Sequence, residues 1–140
     1  MPTLRIIAFI LYSLSLLSGL IYGVVYLMRD RFMPYHRAAL GRAWEELDLP
    51  TRTLLLALMK TTGGGVLGCA IAGTFVLAGP FIAGERWANW ALLATIFCSF
   101  LTAVYATFLV HAKTGASTPR LPALAVLVMG AVAFIFSLMP

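Results

Sequence analysis

Apolar residues in this chain come in four long runs, at about 4–27, 54–77, 88–110 and 121–139, rather than in short alternating stretches. Each is close to the ~20 residues that a helix needs to cross a ~30 Å hydrocarbon layer. The pattern predicts an all-α fold: an antiparallel four-helix transmembrane bundle forming a single domain over 1–140. Between the first two runs, Pro34 is placed to open a helix, because its missing N–H costs nothing in a first turn. Leu40, Ala43, Trp44 and Leu47 then recur at steps of three and four. An interfacial amphipathic helix over about 35–47 is therefore expected, with Trp44 at headgroup depth. Leu49-Pro50 is expected to end it, and Thr51 to cap the second span.

Inside the runs, small residues fall in stripes. Ser15, Gly19 and Gly23 repeat every four residues in span one, and Ala91, Thr95, Ser99, Ala103 and Thr107 do so in span three. Such stripes let helices approach closely in lipid. Span two carries Lys60, Thr61 and Thr62 followed by Gly63, Gly64 and Gly65, and extends into rows Gly64/Gly68/Ala72 and Gly65/Cys69/Gly73. Three consecutive glycines cost about 2–3 kcal/mol of helix propensity relative to alanine. Close packing against span one or three is the preferred explanation, ahead of a broken helix exposing amides beside Lys60. Span four is almost uniformly apolar and is expected to be the most lipid-exposed. Tyr26 is expected at the membrane interface beside Arg29.

Composition agrees with this picture: 61% of residues are hydrophobic and 11% charged, against about 25% charged in soluble domains. The net charge of +5 comes from basic residues flanking the runs, so nucleic acid is not an expected partner. Arg29, Arg31, Arg37, Arg42 and Arg52 in the first connection, with Lys113 and Arg120 in the third, lie on one side, and Arg5 and Arg86 on the other. Positive residues stay inside. Both termini are thus expected on the non-cytoplasmic face of an inner (plasma) membrane. The first run is too long for the ~7–15-residue core of a signal peptide and is read as a true span. Cys69 and Cys98 lie within spans and show no disulfide framework.

Two groups of residues are candidates for chemistry. The first is intramembrane: Lys60, Thr61, Thr62, Gly63, Gly64 and Gly65, facing Thr95, Ser99 and Thr102. A cation in a span is a functional hypothesis by default, although Lys60 sits only ~9 Å along its helix and its stem can snorkel to the interface. The second group, at the cytoplasmic interface, is Tyr35, His36, Arg37, Trp44, Glu46 and His111. Metal ligation needs three or four converging ligands, and no spacing here supplies them, so no metal site and no cofactor is expected. No nucleophile stands beside a base, so no catalytic residue is assigned.

The run YHRAALGRAWEELDLPTRTLLLALMKTTGGG, with GERWANWALL and KTGASTP after it, resembles small four-span bacterial membrane proteins. The shared features are a tyrosine–histidine pair, a loop tryptophan, a glycine run and a T-G-x-x-T-P connection. The resemblance implies a bacterial inner-membrane setting and carries no activity. The expected function is non-enzymatic: an accessory or scaffold subunit packing against itself, as a homo-oligomer, or against a larger membrane complex, with the lipid bilayer as its surroundings. The alternatives are a small-solute or ion carrier built on Lys60 and the glycine run, and a lipid or quinone binder at the cytoplasmic interface.

Overall fold

The computed structural model describes residues 3–139. The chain is helical and has four helices long and apolar enough to cross a membrane, as expected of a small multi-pass membrane protein. They are α1 (Thr3–Met28), α3 (Leu49–Val76), α4 (Arg86–Thr114) and α5 (Arg120–Leu138). The short α2 (Pro34–Leu40) and a single 3-10 turn (Trp44–Glu46) occupy the first connection.

The helix ends follow from local chemistry. Pro34 opens α2 as expected, but α2 does not run on to residue 47. Gly41 adopts a left-handed conformation (φ +65°) and its N–H bonds Arg37 O, closing the helix after Leu40. The apolar repeat ignored this glycine, which is the usual C-terminal stop. The N-cap of α3 is Asp48 and not Thr51. The Asp48 carboxylate accepts from Thr51 N–H (3.2 Å) and Thr51 Oγ (2.6 Å). Pro50 fits in the first turn, so α3 begins well before its apolar run. Gly115 (φ +70°) caps α4 in the same left-handed conformation.

The pairing of α1 with α3 is the tightest in the fold. Buried positions Tyr12, Ser15, Gly19, Gly23 and Tyr26 on α1 meet Gly63, Val66, Ala70 and Gly73 on α3 and Leu77 just beyond its end. The steps of three and four are those of a knobs-into-holes seam. A Cβ on Gly19 would lie 3.1 Å from Ala70 Cβ, one on Gly23 2.7 Å from Leu67 Cβ, and one on Gly73 2.6 Å from Leu16 Cδ2. Contact positions rise along α1 as they fall along α3. The span-one stripe thus does what its spacing implied. On span two, the face that packs is Gly63/Val66/Ala70/Gly73, so of the two rows expected from four-residue spacing only Gly73 lies in it. The helix is continuous through all three glycines, yet only Gly63 is in tight contact; Cβ atoms on Gly65 and Gly68 would meet nothing within 4 Å.

The interruption in α3 comes later. Leu77–Phe81 forms a π-helical turn containing Pro80. Proline removes an N–H and crowds the preceding turn, and the wider π turn absorbs that misfit.

α5 shares with α4 the lowest burial of the four long helices, 22% against 28% for α1 and α3. It still packs on both α1 and α4. Gly130 sits against Ile96, whose Cγ2 would be 2.9 Å from an added Cβ. Tyr12, Phe81, Leu92 and Ile96 form the fully buried centre, with Tyr12 set edge-on to Phe81.

Two cations close the helix pair. A helix C-terminus leaves carbonyls unpaired and carries the negative end of the dipole. Arg5, from the start of α1, donates to Phe81 O at the end of the α3 helix and lies over the Phe81 ring. Lys60, from α3, donates to Leu27 O (2.6 Å) and Arg29 O (3.2 Å) at the end of α1. Each helix thus supplies the charge that its neighbour's C-terminus needs.

Candidate functional site

Between α3 and α4 opens a cleft of about 930 Å³. It lies toward the end of the molecule formed by the first and third connections. At the opposite end, Leu77 and Phe81 pack with Ala88 and Leu92 and leave no such space. The cleft walls are small: Gly65 and Cys69 on α3, and Cys98, Thr102 and Ala106 on α4. Residues of this size cannot fill the gap between two helices, which is why the space persists. Tyr22 and Tyr26 of α1 and Val126 and Met129 of α5 form the back, and Tyr35 and His36 of α2 stand over one end.

The wall hydroxyls contribute little polarity. Ser18, Thr62 and Ser99 each donate to the carbonyl four residues earlier, at 2.8–2.9 Å, and Thr107 donates to Val104 O at 2.9 Å. Those four protons are committed within their own helices; the Thr61 and Thr102 hydroxyls also line the space, whose lining is otherwise mostly apolar. Among the described residues no aspartate, glutamate, lysine or arginine lines it.

Polarity is gathered at the α2 end. The Tyr22 and Tyr26 rings stack at 4.2 Å (22°), and the Tyr26 and Tyr35 hydroxyls share a hydrogen bond. Tyr35 and His36 meet edge to face at 4.2 Å. Burial, reinforced by the bond from Tyr26, pushes the Tyr35 hydroxyl well above the ordinary tyrosine range, so it stays protonated. Burial lowers the His36 pKa from its ordinary value, so the imidazole is neutral at pH 7. Its Nδ1 accepts from Met33 N–H at 3.3 Å, which assigns the ring proton to Nε2.

The two expected groups of site residues are regrouped. Thr61, Thr62, Gly65, Ser99 and Thr102 line the cleft together with Tyr35 and His36. Lys60 does not; it is the α1 C-cap described above. Gly63 is sealed in the α1–α3 seam, and Gly64 is also outside the cleft. Thr95 donates to Ala91 O and borders only a separate void of about 10 Å³.

At the interface, Trp44 is packed inside its own connection. Its ring meets Phe32 edge-on at 5.1 Å, with Arg52 over it at 6.0 Å. Glu46 accepts from Ala43 N–H (2.9 Å) and so caps the 3-10 turn. His111 Nδ1 bonds Ala116 O (2.9 Å) and ties the third connection. Arg37 is exposed and outside the cleft. Among the described residues no group of three or more His, Cys, Asp or Glu is placed to hold a metal.

Tyr22, Tyr26, Cys69, Cys98 and Ala106 belong to the cleft and were not among the sequence candidates. Tyr26 points inward and is 5% exposed, not an interfacial anchor. The signal was present: Tyr22 and Tyr26, four residues apart inside a span, lie on one helix face. The chain matches no family model, no curated protein and no solved structure.

Proposed function

We propose that this is a small integral membrane protein that holds a lipid-soluble molecule in the cleft between α3 and α4. The observation that carries this reading is the cleft itself. Its 930 Å³ lies in the upper part of the ~300–1,000 Å³ range of small-molecule sites. Its walls are mostly apolar, and apart from the Thr61 and Thr102 hydroxyls its free polar groups are collected at one end. That distribution suits a molecule with a tail and a head. In the arrangement we propose, the four long helices cross an inner membrane as an antiparallel bundle. The first and third connections face the cytoplasm, and α2 with the 3-10 turn lies at the interface. The falling contact register of α1 on α3 and the arginine-rich first connection support this placement.

The test is mass spectrometry of the protein released from native membranes, comparing the wild type with Ala106→Trp, which fills the mouth of the cleft. A small lipid-soluble molecule should copurify with the wild type and be lost from the variant. An empty wild-type protein, or equal occupancy in both, refutes the reading.

A second reading, as an accessory or scaffold subunit, is favoured by one observation. Thr61, Gly65, Gly68, Ala72, Phe75 and Gly79 recur at steps of three and four along the exposed face of α3. Gly65, Gly68 and Gly79 have nothing within 4 Å of a built Cβ. Such a face suits a second copy or a larger membrane complex. Crosslinking in native membranes tests it, and a strictly monomeric species there refutes it. The carrier alternative loses its support, since Lys60 is engaged with carbonyls and α3 is unbroken at the glycine run.

A further inference from the structure

We propose that the occupant of the cleft is an uncharged molecule with a flat, carbonyl-bearing ring, of the quinone class, whose ring carbonyl oxygen accepts a hydrogen bond from His36 Nε2–H. This rests on the cleft being a ligand site and goes further, to the chemistry of the head.

Charge is the first constraint. The lining residues include no acid, lysine or arginine. A phosphate, carboxylate or ammonium head would therefore enter the cleft unpaired, which costs several kcal/mol in an apolar site. Lys60 is close in sequence, but its ammonium is already bonded to Leu27 O and Arg29 O. The head must be neutral.

Donors are the second constraint. Most wall hydroxyls donate within their helices and offer only lone pairs. At the α2 end the balance reverses. With His36 Nδ1 accepting from Met33 N–H, Nε2 carries a proton, and no acceptor among the described residues is bonded to it. The Tyr26 and Tyr35 hydroxyls are bonded to each other, with the Tyr22 ring stacked on Tyr26. The spare donor at the polar end is His36 Nε2–H, and it calls for an acceptor such as a carbonyl oxygen.

Ring shape is the third. Tyr22 and Tyr26 are stacked, Phe100 stands edge-on to Tyr22 at 6.4 Å, and Tyr35 meets His36 at 4.2 Å. Aromatic surfaces in this arrangement favour a planar ring, by offset stacking or edge contact, over a branched glycerol head. The apolar channel between α3 and α4 leads from this end along Thr62, Gly65 and Cys69 and takes the tail.

The experiment uses the full chain in nanodiscs and its own wall thiols. Cys69 and Cys98 both line the cleft, so a bound molecule shields them from a membrane-permeant maleimide. Three probes are compared: a fully ring-substituted benzoquinone with a decyl tail, which cannot add thiols at a free ring carbon; dioctanoylglycerol; and decyl phosphate. The quinone should slow alkylation of both cysteines at concentrations where the other two do not. His36→Phe, checked for retained helicity, should weaken the quinone about fivefold, as expected for one lost hydrogen bond, and His36→Gln, which keeps a side-chain N–H, should weaken it less. If His36→Phe fails to fold, His36→Leu compared with His36→Gln carries the test. Equal protection by decyl phosphate or dioctanoylglycerol, or unchanged quinone affinity in the variants, overturns the quinone assignment and leaves the cleft as a ligand site. If no probe protects and nothing copurifies with the protein, the ligand-site reading falls as well.

Discussion

Alanine at Gly63 and alanine at Gly64 should have opposite effects on stability, although the two positions are adjacent in one helix. A Cβ on Gly63 would lie 2.7 Å from Tyr26 Cβ, 3.0 Å from Gly23 O and 3.1 Å from Leu27 N. Two of these atoms are backbone and the third is the rigid root of a side chain, so none can swing aside. Relief requires α1 and α3 to separate, and a gap of 0.5–1 Å already forfeits a quarter to a half of each dispersion contact it opens. Overpacking of this kind costs about 1–3 kcal/mol. A Cβ on Gly64 meets only Leu27 Cδ2, at 4.0 Å, which is ordinary contact with a flexible tip. There the gain in helix propensity, up to ~1 kcal/mol, is uncompensated. Because the propensity gain is common to both, the difference between Gly63→Ala and Gly64→Ala isolates the steric cost, about 1–3 kcal/mol. Titration with SDS from mixed micelles, followed by far-UV circular dichroism, measures it. Equal midpoints, or a Gly63→Ala variant as stable as Gly64→Ala, would refute the close seam.

The cation caps give two further predictions. Lys60→Met should lower stability by about 1 kcal/mol, the value of a charged hydrogen bond discounted for exposure, and should leave cleft occupancy intact. Loss of the copurifying molecule would return Lys60 to the site. Arg5→Met should cost about 1–2 kcal/mol by freeing Phe81 O, and should add to Lys60→Met because the two caps sit at opposite ends of α1; a strongly non-additive double variant would argue against independent caps. His36 provides a pH prediction. Its folded pKa lies below its unfolded value of 6.5, so its contribution to stability is present above pH 6.5 and is lost as pH falls through the folded pKa. The SDS midpoint should therefore drop between pH 7.5 and pH 5, and drop less in His36→Phe. An equal drop in both would place the titration elsewhere.

Much of the fold was legible in the order of residues, and the reason is the solvent. Lipid offers no hydrogen bonds to the backbone, so a long apolar run is confined to a helix whatever its neighbours do. The same logic made the Ser15/Gly19/Gly23 stripe readable, since smoothness on one face is a local property. The helix in the first connection was half legible: Pro34 started it on cue, but the apolar repeat ran across Gly41, where the chain turns left-handed. The candidate site was legible in its members more than in its grouping. Thr61, Thr62, Gly65, Ser99, Thr102, Tyr35 and His36 do line one space, but they had been divided between two sites.

Lys60 marks the boundary between the two kinds of information. The sequence by itself determined that a cation lies in an apolar run beside three glycines, that four helices are long and apolar enough to cross a membrane, and that small residues crowd the second and third of them. Only the tertiary structure decided what each does. Whether a lysine is a binding group or a cap depends on where another helix ends, and the end of α1 falls beside Lys60 only because Gly19, Gly23 and Gly63 set the register of the seam. Whether small residues are seam or wall likewise depends on what faces them: Gly63 meets Tyr26, while Gly65 faces an open cleft. Periodicity records which residues share a face of one helix, and it cannot record which other helix, if any, fills the space beyond that face.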